Sequence, residues 1–271
     1  MLRDFLVRLF ATEGKPGEIA WLNVWHITYA AVIFAATFVT GYFYSKKSDA
    51  AKDKLLRALA CAITFTYVLD FFVQPLMDNG AGMMNVDKLP FHICTLLAIV
   101  VPFVQFNKRL AFLAEPVSVL AIVGPMMYLV YPGGAVGDIS PFCYKIVQTF
   151  IYHGLVFAWG FLMIATGKVK PSLKDGWWRV LVSVSCVAVW ASIGNLAYNS
   201  NLDGASHYDW FFLTGSTFPF VPKALMPLTV IISIFGVAMM VYGIYYAFVA
   251  VRDGLQEKNE EYSDKKENAA V

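Results

Sequence analysis

The sequence predicts an all-α polytopic membrane protein: a bundle of seven transmembrane helices with its N-terminus outside and its C-terminus in the cytoplasm. Three observations carry this. First, the 271-residue chain is 58% hydrophobic and only 15% charged, with mean hydropathy +0.59, whereas a soluble domain carries roughly 25% charged residues. Second, seven apolar stretches are long enough to cross about 30 Å of hydrocarbon, which takes roughly 20 residues each. Third, the basic residues fall in alternate connections. The formal net charge of +2 says little about partners, because the position of the charges matters more than their sum; no nucleic-acid partner is expected. The partner this class implies is a membrane lipid or an amphipathic small molecule.

Residues 1–20 read as an N-terminal interfacial amphipathic helix: Leu2, Phe5, Leu6, Leu9 and Phe10 form an apolar face, with Arg3, Asp4 and Arg8 elsewhere. The segment lacks the continuous apolar core and cleavage site of a secretory signal, so it is expected to be retained. The seven-helix transmembrane domain covers 21–250, with spans near 21–44, 55–77, 90–107, 110–131, 143–166, 177–199 and 224–250. Pro90 suits the first turn of span three. That span ends at Asn107-Lys108-Arg109, which forces a tight hairpin into span four. Lys46, Lys47, Lys52, Lys54 and Arg57 follow span one, and Lys108 and Arg109 follow span three. Lys168, Lys170, Lys174 and Arg179 follow span five, and Arg252, Lys258, Lys265 and Lys266 follow span seven. These are 15 of the 21 Lys and Arg, which makes that side cytoplasmic and the protein a multi-pass cell-membrane protein. Residues 251–271 are polar and charged and are expected to form a disordered cytoplasmic tail. Of the outer loops, 131–142 and 199–222, the second is long enough to act as a lid over a cavity mouth.

All four histidines fall toward the outer side: His26 near the start of span one, His92 at the start of span three, His153 inside span five and His207 in the last outer loop. Ionisable groups in lipid are costly, so such a gathering points to a polar cavity. Helical spacing supports convergence. Asn23 and His26 share a face, as do Tyr67, Asp70 and Gln74, then His92 and Thr95, Thr149 and His153, and Asn195 and Asn199. The expected catalytic set is His92 as general base, Asp70 or His153 as its partner, and Asn195 as a donor to an oxyanion. Thr95, Cys94 or a water would supply the nucleophile, although Cys94 points roughly 160° away from His92 in a regular helix. His26, Tyr67, Gln74, Thr149 and Asn199 are the expected substrate-binding residues. A histidine from another span is the expected partner of Asp70, with a purely structural ion pair as the alternative. His207 reads as an ordinary loop residue, Glu115 lies outside the site, and Cys61 and Cys186 read as small packers. Cys94 and Cys143 are near enough to the outer surface for a disulfide to be considered. Intramembrane Pro102, Pro116, Gly124, Pro125, Gly154, Gly160, Gly194 and Pro227 read as kinks and close-packing points.

Three histidines and Asp70 would suit a zinc site with an open position. Seven-span zinc hydrolases usually carry a histidine pair on the last span, however, and span seven has none. No metal and no cofactor are therefore predicted.

The segment Leu89-Pro90-Phe91-His92-Ile93-Cys94 resembles the L-P-x-H-x-C segment of the bacterial YwaF family of integral membrane proteins. The Tyr131-Pro132 loop leading to His153, and Gly194-Asn195 followed by Asn199 and the aromatic loop to Pro219, are similar to later motifs of that family. The resemblance covers most of spans three to seven. It implies seven spans, a bacterial plasma membrane and a site role for His92. Distantly similar eukaryotic polytopic phospholipid acyltransferases use a cysteine acyl-enzyme whose nucleophile directly precedes the motif histidine. The matching position here is Phe91, which has no nucleophilic atom. The resemblance thus implies lipid-facing chemistry without naming the nucleophile. The expected function is acyl transfer or ester hydrolysis on lipid at the outer leaflet. The alternative is a transporter or ligand-binding protein using the same cavity, for which Glu115 would be the main inner-half polar group.

Overall fold

The apolar stretches become seven α-helices among the residues described by the computed structural model, which are 19–77, 88–132, 140–199, 208–213 and 221–268. They are α1 (Val24–Ser45), α2 (Asp49–Met77), α3 (Ile93–Phe106), α4 (Ala114–Val130), α5 (Tyr144–Ala165), α6 (Trp177–Asn199) and α7 (Met226–Asn268). Six of the seven are long and apolar enough to cross a membrane, α4 together with the 3-10 turn Lys108–Leu113 that precedes it. The exception is α3, with 14 residues and a length of about 21 Å. The chain is a multi-pass helical membrane protein.

α4 and α5 organise the bundle. α4 packs against α3, α5, α6 and α7, while α5 also packs against α1, α2 and α3. Every residue of α4 from Pro116 to Pro125 is buried, as expected of a helix apolar on all sides. Small residues let α4 and α5 approach: a Cβ on Gly160 would lie 2.6 Å from the Ser118 carbonyl oxygen and 2.9 Å from the Ala121 Cβ, the close contact that drives helix association in lipid. Proline is accommodated by side chains. Pro102 offers no N–H to the Ala98 carbonyl one turn earlier, and Thr64 of α2 donates its hydroxyl to that oxygen at 2.7 Å.

The last carbonyls of α4 have no helical donor. His26 Nε2 donates to Leu129 O at 2.8 Å, and Trp21 Nε1 donates to Val130 O at 3.0 Å. Leu22 takes a left-handed φ of 62° and donates its N–H to His26 Nδ1 at 3.0 Å. Both ring nitrogens of His26 are therefore committed to backbone, and the chain before α1 is clamped onto the C-terminal end of α4.

Two features depart from the sequence reading. α3 starts at Ile93 rather than near Pro90, because its approach segment is held by α6: Trp190 Nε1 donates to Pro90 O at 2.8 Å. The Phe91 ring packs on Trp190 and Trp210, with centroids 5.1 and 4.9 Å away. Phe91 rests directly over Gly194, where a Cβ would meet its ring at 2.5 Å. Trp190 and Gly194 lie about 8 to 14 Å before the C-terminal end of α6 by helical rise, so α3 begins inside the bundle. The second departure is that α7 continues to Asn268 through the expected disordered tail. Its Lys, Glu and Gln residues are strong helix formers, so losing apolar content removes packing without removing helicity. Residues 1–18 of the expected interfacial helix, most of the 131–142 and 199–222 loops and His207 lie outside the described residues.

Candidate functional site

The site is built around the start of α3. His92 is its N-cap, in extended conformation and without a side-chain cap bond. Its Nδ1 accepts from the Phe211 N–H at 3.2 Å, so a neutral His92 carries its proton on Nε2. Phe211 and Phe212 both adopt left-handed φ, 63° and 56°, which is unusual for bulky residues. The Phe212 ring lies 5.7 Å from the imidazole. The Thr95 hydroxyl is spent on local carbonyls, 3.0 Å from His92 O and 3.1 Å from Leu89 O. The first helical bond runs from Leu96 N–H to His92 O. The N–H groups of Ile93, Cys94 and Thr95 thus precede the ladder, at the positive end of the helix dipole.

α6 fixes the segment that meets His92. Asn195 accepts from Trp210 N–H at 2.8 Å and donates to Trp210 O at 3.0 Å. Asn199 accepts from Tyr208 N–H and donates to Tyr208 O, both at 2.8 Å. The match is geometric. Four residues of helix rise about 6.0 Å and two residues of extended chain about 6.6 Å, so amides at i and i+4 imitate a strand edge. Asn195, expected as an oxyanion donor, is instead buried and positions this segment. Asn195→Ala would leave both Trp210 backbone groups unpaired, at about 2 kcal/mol. Amide exchange of Tyr208–Phe211 is expected to accelerate about thirtyfold in Asn195→Ala; unchanged exchange would show that the asparagines do not hold the segment.

The other side of α3 faces α4 and α5. A Cβ on Gly124 would lie 3.4 Å from Cys94 Sγ, and Tyr152 donates its hydroxyl to Cys94 O. The thiol also lies within electrostatic reach of the Tyr128 and Tyr152 phenols. The same tyrosines cradle His153: Tyr128 stacks on it at 4.1 Å and 10°, and Tyr152 meets it edge-on at 5.4 Å. His153 Nδ1 lies 2.8 Å from Thr149 O. A carbonyl only accepts, so Nδ1 carries the proton and a neutral His153 has its lone pair on Nε2. Cys94 and His153 are enclosed by protein and are each only partly exposed.

Beside this pair lies an ion cluster. Asp70, 2% exposed, pairs with Lys88 Nζ at 2.6 Å, so its partner is a lysine and not the expected histidine. The Tyr144 phenol lies against the carboxylate, and Tyr67 donates its hydroxyl to Lys88 O at 2.6 Å. Tyr67 and Tyr152 are 6.2 Å apart, linking the ion cluster to the Cys94–His153 group. Lys88 and His92 both lie within electrostatic reach of His153.

Of the residues expected from sequence, Cys94, Thr149 and His153 share one cluster, with Asp70 and Tyr67 adjoining and His92 and Thr95 at the start of α3. Asn195 and Asn199 hold the Tyr208–Trp210 backbone, and His26 sits apart at the end of α4. The side chain of Gln74 lies outside the described residues. Sequence reasoning missed Lys88, Tyr128 and Tyr152. The adjacency of Tyr152 to His153 was the only available signal among them. All four cysteines are free, so Cys94 and Cys143 are not joined. Among the described residues, no group of three or more His, Cys, Asp or Glu is placed to hold a metal ion.

The TMEM164 family model matches residues 21–242, which include every residue of these clusters. The chain belongs to the TMEM164 family. The motifs that resemble YwaF thus lie in a polytopic membrane protein whose matching family is TMEM164. The matched span runs from Trp21, which clamps the end of α4, to Tyr242, whose hydroxyl donates to Glu115 Oε1 at 2.9 Å. The match therefore takes in α1 to α6 and the first part of α7. No curated protein and no solved structure matches the chain.

Proposed function

We propose that this TMEM164-family protein is a membrane-embedded lipid-modifying enzyme, an acyltransferase or ester hydrolase. The observation that carries the reading is the opposite proton placement on two imidazoles near the first turn of α3. His153 is held as an acceptor at Nε2 by the Thr149 carbonyl, and His92 as a donor at Nε2 by the Phe211 N–H. A proton acceptor and a donor held near one helix N-terminus suit acyl chemistry, in which a nucleophile loses a proton while a carbonyl oxygen gains charge.

In this reading Cys94 is the nucleophile. Its sulfur attacks the ester carbonyl carbon and its proton passes to His153 Nε2. The oxyanion is stabilised by the N–H groups at the start of α3 and by His92 Nε2–H, the role the sequence reading gave to Asn195. Collapse breaks the C–O bond, and the leaving alkoxide takes the proton from His153, leaving a thioester. A second alcohol or water then attacks that thioester and restores the thiol. The roles of the two histidines are thus exchanged relative to the sequence expectation, and Asp70 with Lys88 supports the site from the side.

The transporter alternative draws less support. Glu115, its inner-half candidate, accepts from Ser172 N–H at 2.7 Å and from the Tyr242 hydroxyl, which suits a fixed inner seal. We place α3, with residues 88–92 leading into it, as a seventh crossing in a cell membrane, N-terminus outside. The 15 of 21 basic residues on one side support that orientation.

The test is to incubate purified protein with a phospholipid bearing an alkyne-tagged acyl chain and map any covalent label. Label on the Cys94 peptide, removed by hydroxylamine and absent in Cys94→Ala, is the expected result. Lipid turnover that persists in Cys94→Ala would make water the nucleophile and overturn the thioester.

A further inference from the structure

A proton moved from Cys94 to His153 Nε2 leaves an imidazolium enclosed by protein, where an unpaired charge is costly. In a Ser-His-Asp triad a carboxylate on the other ring nitrogen offsets that cost. His153 has no such partner among the described residues, because its Nδ1 proton goes to the neutral Thr149 carbonyl. The nearby carboxylate, Asp70, is engaged by Lys88 at 2.6 Å. The ionisable groups acting on His153 from the segment before α3 are Lys88 and His92. Both are basic, so neither offsets a positive charge there.

What faces the imidazole from α4 is the Tyr128 ring. The two rings are stacked, with centroids 4.1 Å apart and planes 10° from parallel. The face of a phenol ring carries negative potential, and a cation within about 6 Å of its centroid is attracted to it. Tyr152 of α5 meets the imidazole at 81° and its hydroxyl is spent on Cys94 O. Tyr128 is held in register from two sides. The next two carbonyls of α4, Leu129 O and Val130 O, accept from the His26 and Trp21 rings. Its hydroxyl meets the Thr149 side chain in a hydrogen bond, and the Thr149 carbonyl fixes His153 Nδ1. Thr149 thus ties both rings of the stack to one turn of α5. We propose, resting on the lipid-modifying reading, that Tyr128 is a positioning residue whose ring face stabilises the His153 imidazolium, in the place a carboxylate holds in a triad.

The thiol reports this charge without lipid turnover, since only its thiolate is alkylated. Detergent-solubilised full-length protein is treated with iodoacetamide and the modification rate of each cysteine is followed by mass spectrometry. Tyr128→Phe keeps the ring face and is expected to leave the Cys94 rate within a few-fold of wild type. Tyr128→Leu removes the face and is expected to slow Cys94 about tenfold, between the effects of an exposed and a desolvated cation–π contact. Cys61 and Cys186, both exposed, serve as controls and are expected to keep their rates. Progressively fluorinated phenylalanines at position 128 keep the ring's shape while draining its face of negative potential. The Cys94 rate is expected to fall stepwise along that series with the melting temperature unchanged. A flat series, with His153→Gln still slowing Cys94, would overturn the role of Tyr128 and leave His153 as the proton acceptor. A Cys94 rate unchanged in His153→Gln would defeat the acceptor role and the Tyr128 proposal with it. A stepwise series in a protein that turns over no lipid would support the ring contact and defeat the enzyme reading alone.

Discussion

His153→Gln is expected to slow lipid turnover by about 10²- to 10⁴-fold, the usual contribution of a positioned general base, while leaving the protein folded. Glutamine matches the imidazole in size, and its amide can still donate to the Thr149 carbonyl that His153 now reaches at 2.8 Å. It cannot accept a proton from a thiol. A merely structural His153, stacked on Tyr128 at 4.1 Å, would give the opposite pattern: a lower melting temperature with little change in rate. Measuring kcat and thermal unfolding on the same preparation separates the two. A rate within a few-fold of wild type would remove His153 from the chemistry.

The largest stability effect is expected at Asp70. Asp70→Ala leaves the Lys88 ammonium without its partner at 2.6 Å, and breaking a buried pair by removing one member costs about 3–5 kcal/mol. Lys88 keeps 23% exposure, so the lower end of that range is expected. The paired change Asp70→Leu with Lys88→Met removes both charges and is expected to recover most of the loss, since apolar replacements of buried pairs are often neutral. Unfolding of the single and double variants in detergent gives the coupling directly. No recovery in the double variant would mean that Tyr144 or Tyr67 depends on the charges themselves.

Much of the bundle was legible in the sequence because hydropathy and length decide whether a segment suits lipid. The element that departed most was α3. Pro90 fits a first helical turn, but the helix begins three residues later because Trp190 and Gly194, about a hundred positions away in the chain, hold Pro90 and Phe91 against α6. No local rule reports a contact of that range. Asn195 and Asn199 were correctly placed on one face, yet spacing does not reveal a partner, and theirs proved to be the backbone of Tyr208 and Trp210. His26 looked like a member of the site because a histidine near the interface has the same sequence signature whether it meets a ligand or the last carbonyls of a helix. Lys88 counted only as one of the few basic residues on the outer side. That it reaches Asp70 depends on how α2 and the segment before α3 pack.

The central claim is that the interior site acts on lipid esters, and lipid mass spectrometry tests it most directly. Wild-type protein and Cys94→Ala would be reconstituted into vesicles of one defined phosphatidylcholine and one lysolipid acceptor, and every lipid species followed over time. The account predicts a transferred acyl chain, or free fatty acid with matching lysolipid, formed by wild type and lost in Cys94→Ala. An unchanged lipid profile with folded, correctly inserted wild-type protein would contradict it.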